Sequence, residues 1–116
     1  MINNDLPLDR MFQALADGHR RQMIDRLAAG PLTVSDLALP MGISLPAVMQ
    51  HLSVLEACGL VQSHKQGRVR TCALTPDALA QAEAWISARR MMVEARLTRL
   101  EQFLAPDKED GAGPAY

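Results

Sequence analysis

The chain has 116 residues, of which 48% are apolar and only 3% aromatic, and its formal net charge is -1. That length suits one domain with a core of Leu, Ala, Met and Val, and large rings limited to Phe12, Trp85, Phe103 and Tyr116 argue against stacking-based recognition of single strands or RNA. No apolar run reaches the length of a membrane span, and the start MINNDLPLD lacks both regions of a secretory signal. Two cysteines at no metal-ligand spacing suit a reducing compartment, so the expected location is cytoplasmic with no membrane contact.

A first helix is expected over 8–16, where Leu8, Met11, Phe12 and Leu15 recur at helical spacing. Asp17-Gly18 interrupts it, and Asp17 is placed to cap a second helix whose stripe is Met23, Ile24, Leu27 and Ala28. Gly30-Pro31 ends that helix. Thr33 and Asp36 have the spacing of a capping box and introduce a very short helix carrying Val34, Leu37, Ala38 and Met41.

Gly42 supplies a tight turn, and Ser44 is an N-cap with Pro46 tolerated in the first turn behind it. The next helix displays Leu45, Val48, Leu52 and Leu55 toward the other helices and leaves Met49, Gln50 and Ser53 outward. Gly59 stops it. A strand over 60–64 then pairs with one over 69–74 through the turn Gln66-Gly67-Arg68. Residues 61–75 hold Lys65, Arg68 and Arg70 and no acid, so a locally basic hairpin lies beside a helix able to enter a major groove. This is the outline of a winged helix-turn-helix: mainly α, with a two-stranded β wing.

Thr75-Pro76 marks the start of a last helix, over about 76–104, with Leu79, Ala82, Ile86, Met92 or Val93, Leu97, Leu100 and Leu104 as its apolar series. At 1.5 Å per residue it is roughly 40 Å long, more than so small a body can cover. A two-fold dimer is the natural partner for the excess, with Leu79, Ile86, Val93, Leu97, Leu100 and Leu104 at the interface and Met11, Phe12 and Leu15 as additional contacts. The expected organisation is one domain over 1–106, with the charged, Gly/Pro-containing residues 107–116 a disordered tail.

At this point the chain resembles the ArsR-type winged-helix repressors. Near the N-terminus it reads Phe12-Gln13-Ala14-Leu15-Ala16-Asp17-Gly18-His19-Arg20-Arg21, after the pattern F-x-A-L-A-D-x-x-R-R. Over the recognition helix it reads Met41-Gly42-Ile43-Ser44-Leu45-Pro46-Ala47-Val48-Met49-Gln50-His51-Leu52, continuing to Gly59-Leu60-Val61, after M-x-[IM]-S-L-P-A-V-x-x-H-L and the segment beyond it. The similarity covers roughly residues 10–104. It implies a homodimer that binds imperfect inverted repeats in double-stranded promoter DNA and usually represses, in a family where many members release DNA on binding a metal or on thiol modification.

Base edges are read from the N-terminal half of such a helix, which makes Leu45, Pro46, Met49, Gln50 and Ser53 the candidates. Gln50 suits adenine, and Met49 or Pro46 a thymine methyl. Phosphate contacts are expected from Ser44, His51, Lys65, Arg68, Arg70 and Arg21, with Arg20 nearer the buried stripe. The cations that the subgroup carries near Met49, Gln50 and Ser53 are missing, which predicts weaker or more shape-dependent binding.

No effector is specified. The family's Cys-x-Cys metal segment corresponds here to Leu32-Thr33-Val34-Ser35-Asp36-Leu37, which has no thiolate, and residues 76–104 contain no histidine for a site across the dimer helices. Three His and two Cys scattered among helix, wing and turn predict no high-affinity metal site and no cofactor. Cys58 and Cys72 are the redox candidates, with Arg70 two positions from Cys72 on the same strand face as a possible activator. No phosphate loop or HExxH supports an enzyme. The competing readings are a protein-interaction or adaptor dimer on the same scaffold without specific DNA binding, and a thiol-responsive redox-sensing repressor.

Overall fold

The computed structural model describes residues 6–105, as five α-helices, one 3-10 turn and three strands. Helix α1 spans Leu6–Leu15 and α2 spans Gly18–Ala28; Asp17 caps α2 by accepting from the amides of His19 and Arg20. The short β1, Leu32–Thr33, leads into α3, Val34–Ala38, which is capped by Thr33 through the Asp36 amide at 3.1 Å and tightened by a 3-10 turn at Leu39–Met41. Helix α4 spans Leu45–Ala57. Its cap, Ser44, accepts from the Ala47 amide at 3.3 Å, and Gly42, at φ +69°, makes the bend that separates it from α3.

Helix α4 ends in a Schellman motif. Gly59 takes φ +83°, its amide reaches the Glu56 carbonyl, and the Leu60 amide reaches the Leu55 carbonyl. Both leucines are fully buried, so the motif seals the core while it turns the chain into β2, Val61–Gln66. Strand β3, Val69–Leu74, returns antiparallel, with Gln66 opposite Val69 across a two-residue turn in which Gly67 has φ +65°.

The sheet has three strands rather than the expected two. Leu32 pairs with Cys72 and Thr33 with Thr71, giving the order β1-β3-β2. The strand that carries Cys72 is therefore central, paired with β2 on one side and with β1, the entry to α3, on the other.

The core consists of Met11 and Ala14 of α1, Met23, Ile24 and Leu27 of α2, Val34 and Leu37 of α3, Met41, Val48, Leu52 and Leu55 of α4's inner stripe and its approach, and Leu60, Val61, Cys72 and Ala82. Two assignments on α4 change. Leu45 is 53% exposed because it occupies the first turn of α4, beyond the packed rows, and Met49 is half-buried against the core instead of facing outward. Ala28 is exposed in the last turn of α2, and Met11 is buried within its own domain, so it is not free to meet a partner.

The last helix, α5, spans Ala80–Leu104. It begins four residues later than Thr75-Pro76 suggests, because Asp77 adopts φ +56° and the Ala78 and Ala80 amides close turns onto Thr75 and Asp77. Leu79 thus lies in a turn, not in the helix. The chain divides into two compact units between Ala82 and Glu83. Taken by itself, the second unit is helix through Leu104, with exposed Ile86, Val93, Leu97, Leu100 and Leu104 separated by seven, four, three and four residues, the alternation of a coiled-coil seam. The expected tail, 107–116, lies outside the described residues. Among those described, no single helix is long and apolar enough to cross a membrane.

Candidate nucleic-acid interface

The outward surface of α4 is built by its cap and its inner stripe together. Because Val48, Leu52 and Leu55 are fixed in the core, Leu45, Pro46, Gln50 and Ser53 are turned out and exposed, and Ser44 stands exposed at the helix start. These residues form one polar and apolar surface without a charge. Of the base-reading candidates, only Met49 is withdrawn from that surface.

Met49 instead forms part of a cleft of about 380 Å³ between the recognition helix, the start of α3 and the wing. Thr33, Val34 and Ser35 line one wall, and Lys65, Arg68, Val69 and Arg70 the other. Three cations therefore border a groove that opens beside the recognition helix. Lys65 and Arg68 are exposed at the end of the hairpin.

Arg70 is placed differently. Its Nε donates to Ser63 Oγ at 3.0 Å, Ser63 donates to Glu56 Oε2 at 2.5 Å, and Arg70 Nη2 lies 3.4 Å from both Glu56 oxygens. This chain of bonds joins the last turn of α4 to the base of the wing, and it sets the angle at which the wing leaves the helix. Nothing local in the sequence ties Arg70 to Glu56; only the hairpin register, which puts Ser63 opposite Cys72, brings them together.

The paired arginines of α2 also have partners. Arg21 Nη1 donates to the Leu15 carbonyl at 2.7 Å, closing the end of α1. Arg20 donates to the Ala14 and Gln13 carbonyls at 2.8 and 3.1 Å and to His51 Nδ1 at 3.2 Å. A guanidinium has no acceptor, so His51 receives this bond on its lone pair and carries its proton on Nε2. The expectation that Arg20 faces inward and Arg21 outward agrees with half-buried Arg20 and exposed Arg21, yet Arg21 also works as a cap.

His19 and His51, which look scattered in the sequence, meet with ring centroids 5.4 Å apart. Asp17 lies beside both, its carboxyl held below the usual carboxylate range mainly by the Arg20 amide, against some opposing desolvation, with further help from the His19 amide and the Arg20 charge.

The thiols differ in setting. Cys72 is fully buried, and burial pushes its thiol upward, with Glu56 adding to the shift and Arg70 opposing it. The activating role suggested by Arg70's place on the strand is thus offset by the carboxylate paired to it. Cys58 is half-buried, donates to the Leu55 carbonyl at 3.5 Å, and borders a cleft of about 250 Å³ lined also by Arg10, Gln13, Arg20, Val54 and Ala57.

Comparison with known proteins agrees with this geometry. Residues 17–63 match the description "Bacterial regulatory protein, arsR family". The chain is 50% identical over 72 residues to the HTH-type transcriptional regulator Rv2034 of Mycobacterium tuberculosis, covering 62% of this chain and 67% of that one. A crystal structure of an ArsR family transcriptional regulator, RHA00566, superposes with a TM-score of 0.74 at 44% identity, covering 81% of this chain and 97% of the other. The homodimeric winged helix-turn-helix DNA-binding domain Mb0332 of Mycobacterium bovis, described as a possible ArsR-family regulator, gives a TM-score of 0.61 at 26% identity, with 83% of each chain covered. The chain belongs to the ArsR family, and with it to the winged-helix DNA-binding transcriptional regulators rather than to the enzymes.

Proposed function

We infer that the protein is a homodimeric repressor of an inverted-repeat operator, with the α4 surface as its base reader and the wing as its phosphate contact. The observation that carries this reading is the basic cleft beside an uncharged recognition surface, a division of labour between positioning and reading. Leu45, Pro46, Gln50 and Ser53 offer apolar contacts and one bidentate amide, and Lys65 and Arg68 supply exposed charge. Ser44 and the first-turn amides of α4 face phosphate in this reading. Covering the promoter then excludes polymerase.

Dimerisation is assigned to α5 through Ile86, Val93, Leu97, Leu100 and Leu104, with Leu79 in the preceding turn. The homodimeric state of the Mb0332 domain supports it, as does the seam spacing of exposed apolar side chains. Two recognition helices related by a two-fold axis enter successive major grooves about 34–36 Å apart, which makes the operator palindromic.

Retardation of the DNA upstream of its own gene, followed by selection from a genomic duplex library at low salt, tests the reading. Enrichment of a two-fold symmetric site is expected. If no duplex is enriched, the cation-poor α4 belongs to a protein-interaction dimer.

A further inference from the structure

The cap of α2 and the middle of the recognition helix share a cluster that lies apart from the exposed base-reading candidates of α4. Asp17 Oδ1 accepts the His19 and Arg20 amides at 2.8 and 3.1 Å, which fixes the carboxylate. His19 Nδ1 and His51 Nδ1 each lie 4.0 Å from that oxygen, and one donor atom from each of the three side chains falls within 4.8 Å of the others. One carboxylate and two imidazoles form the donor set that zinc, cobalt, nickel and copper(II) accept.

The position of a cation here is already marked. Arg20 Nη1 sits 3.2 Å from His51 Nδ1, so the imidazole lone pair and the nearby carboxylate hold a positive charge between α2 and α4. Were that one nitrogen displaced, Arg20 would keep its bonds to Ala14 and Gln13. A tetrahedral ion with bonds of about 2.0–2.1 Å needs donors roughly 3.3–3.4 Å apart, so the cluster must close by about 1 Å. His19, with 45% of its side chain exposed, has room to turn inward, and Asp17 has its second oxygen to offer.

We propose that Asp17, His19 and His51 bind one divalent transition-metal ion per protomer, clamping the start of α2 to the recognition helix in competition with Arg20. Displacement of the Arg20 guanidinium and closure of the cluster both weaken the binding. The premise of scattered histidines, drawn from the sequence, is replaced, since His19 and His51 meet beside Asp17. His19 turns a pair into a triad, and its side chain is the part of the cluster the fold least requires.

Titration of the intact, metal-free, reduced protein with cobalt(II) tests this by visible absorption. One equivalent per protomer is expected, with ligand-field bands of a four- or five-coordinate site, displaced by zinc(II). His19→Ala should weaken binding at least tenfold while leaving the chelator-treated thermal midpoint unchanged. Arg20→Gln should tighten it several-fold, an effect a merely structural arginine would not produce. Failure to bind cobalt(II) at about 1 mM, or unchanged binding in His19→Ala, would overturn the assignment.

Discussion

Glu56 of the recognition helix and Arg70 of the wing stand 3.4 Å apart with Ser63 bonded to both, so the wing is braced against the helix it serves. Both partners keep appreciable solvent contact, at 39% for Arg70 and 26% for Glu56. The ion pair is therefore worth at most about 1 kcal/mol, and its role is to set geometry.

The three wing cations should consequently separate in solution. Lys65→Ala plus Arg68→Ala is expected to lower the salt slope of operator binding by about two, since each lost phosphate contact removes roughly 0.9 from the slope, with little change in thermal stability. Arg70→Ala should instead lower stability slightly, and Glu56→Gln should reproduce much of that effect. A double-mutant cycle giving additive effects for Glu56 and Arg70 would remove the brace.

Much of the fold is written locally. Asp17, Thr33 and Ser44 cap their helices and Gly59 ends α4, because each acts within a few residues of its own position. Strand β1 escapes such reading, since two residues become a strand only by pairing with Thr71 and Cys72, far along the chain. At the start of α5, Thr75-Pro76 is a sound local signal, yet the left-handed Asp77 overrides it with a turn. At the interface, helical period separates the outward residues of α4 from its stripe except at Leu45 and Met49, where end effects and the neighbouring wing decide. The Arg20–His51 and Glu56–Arg70 contacts, by contrast, are products of packing, with no sequence pattern to announce them.

Gln50 offers the test of base reading. Its amide is exposed on the outer face of α4, so Gln50→Ala should change the ranking of operator variants, costing about 1–3 kcal/mol at the base it contacts and little at others. Binding measured across a set of single-base operator variants would show it. A uniform loss at every variant would mean that Gln50 positions the helix instead.

Leu97 and Leu100 are 56% and 51% exposed on α5 and stand three apart on its apolar seam. Buried against a second copy, each would contribute roughly 1.5–3 kcal/mol, doubled by symmetry. Leu97→Glu plus Leu100→Glu should sediment as a monomer and lose operator binding with α4 untouched. A stable dimer in that variant would move the interface elsewhere.

Cys72 should be the inert thiol and Cys58 the reactive one. Burial raises Cys72 above the ordinary 9.0, with Glu56 reinforcing the shift, so the native protein holds this thiol protonated and uncharged. For a thiol raised on folding, the stabilisation is complete below the unfolded value and is lost as pH rises through the folded one. Stability should therefore begin to fall above about pH 9, and Cys72→Ser should reduce that part of the decline. At pH 7, alkylation followed by mass spectrometry should label half-buried Cys58 first and Cys72 only as fast as the domain opens. Release of operator by oxidant that disappears in Cys72→Ser, but not in Cys58→Ser, would reverse the order and make the buried thiol the sensor.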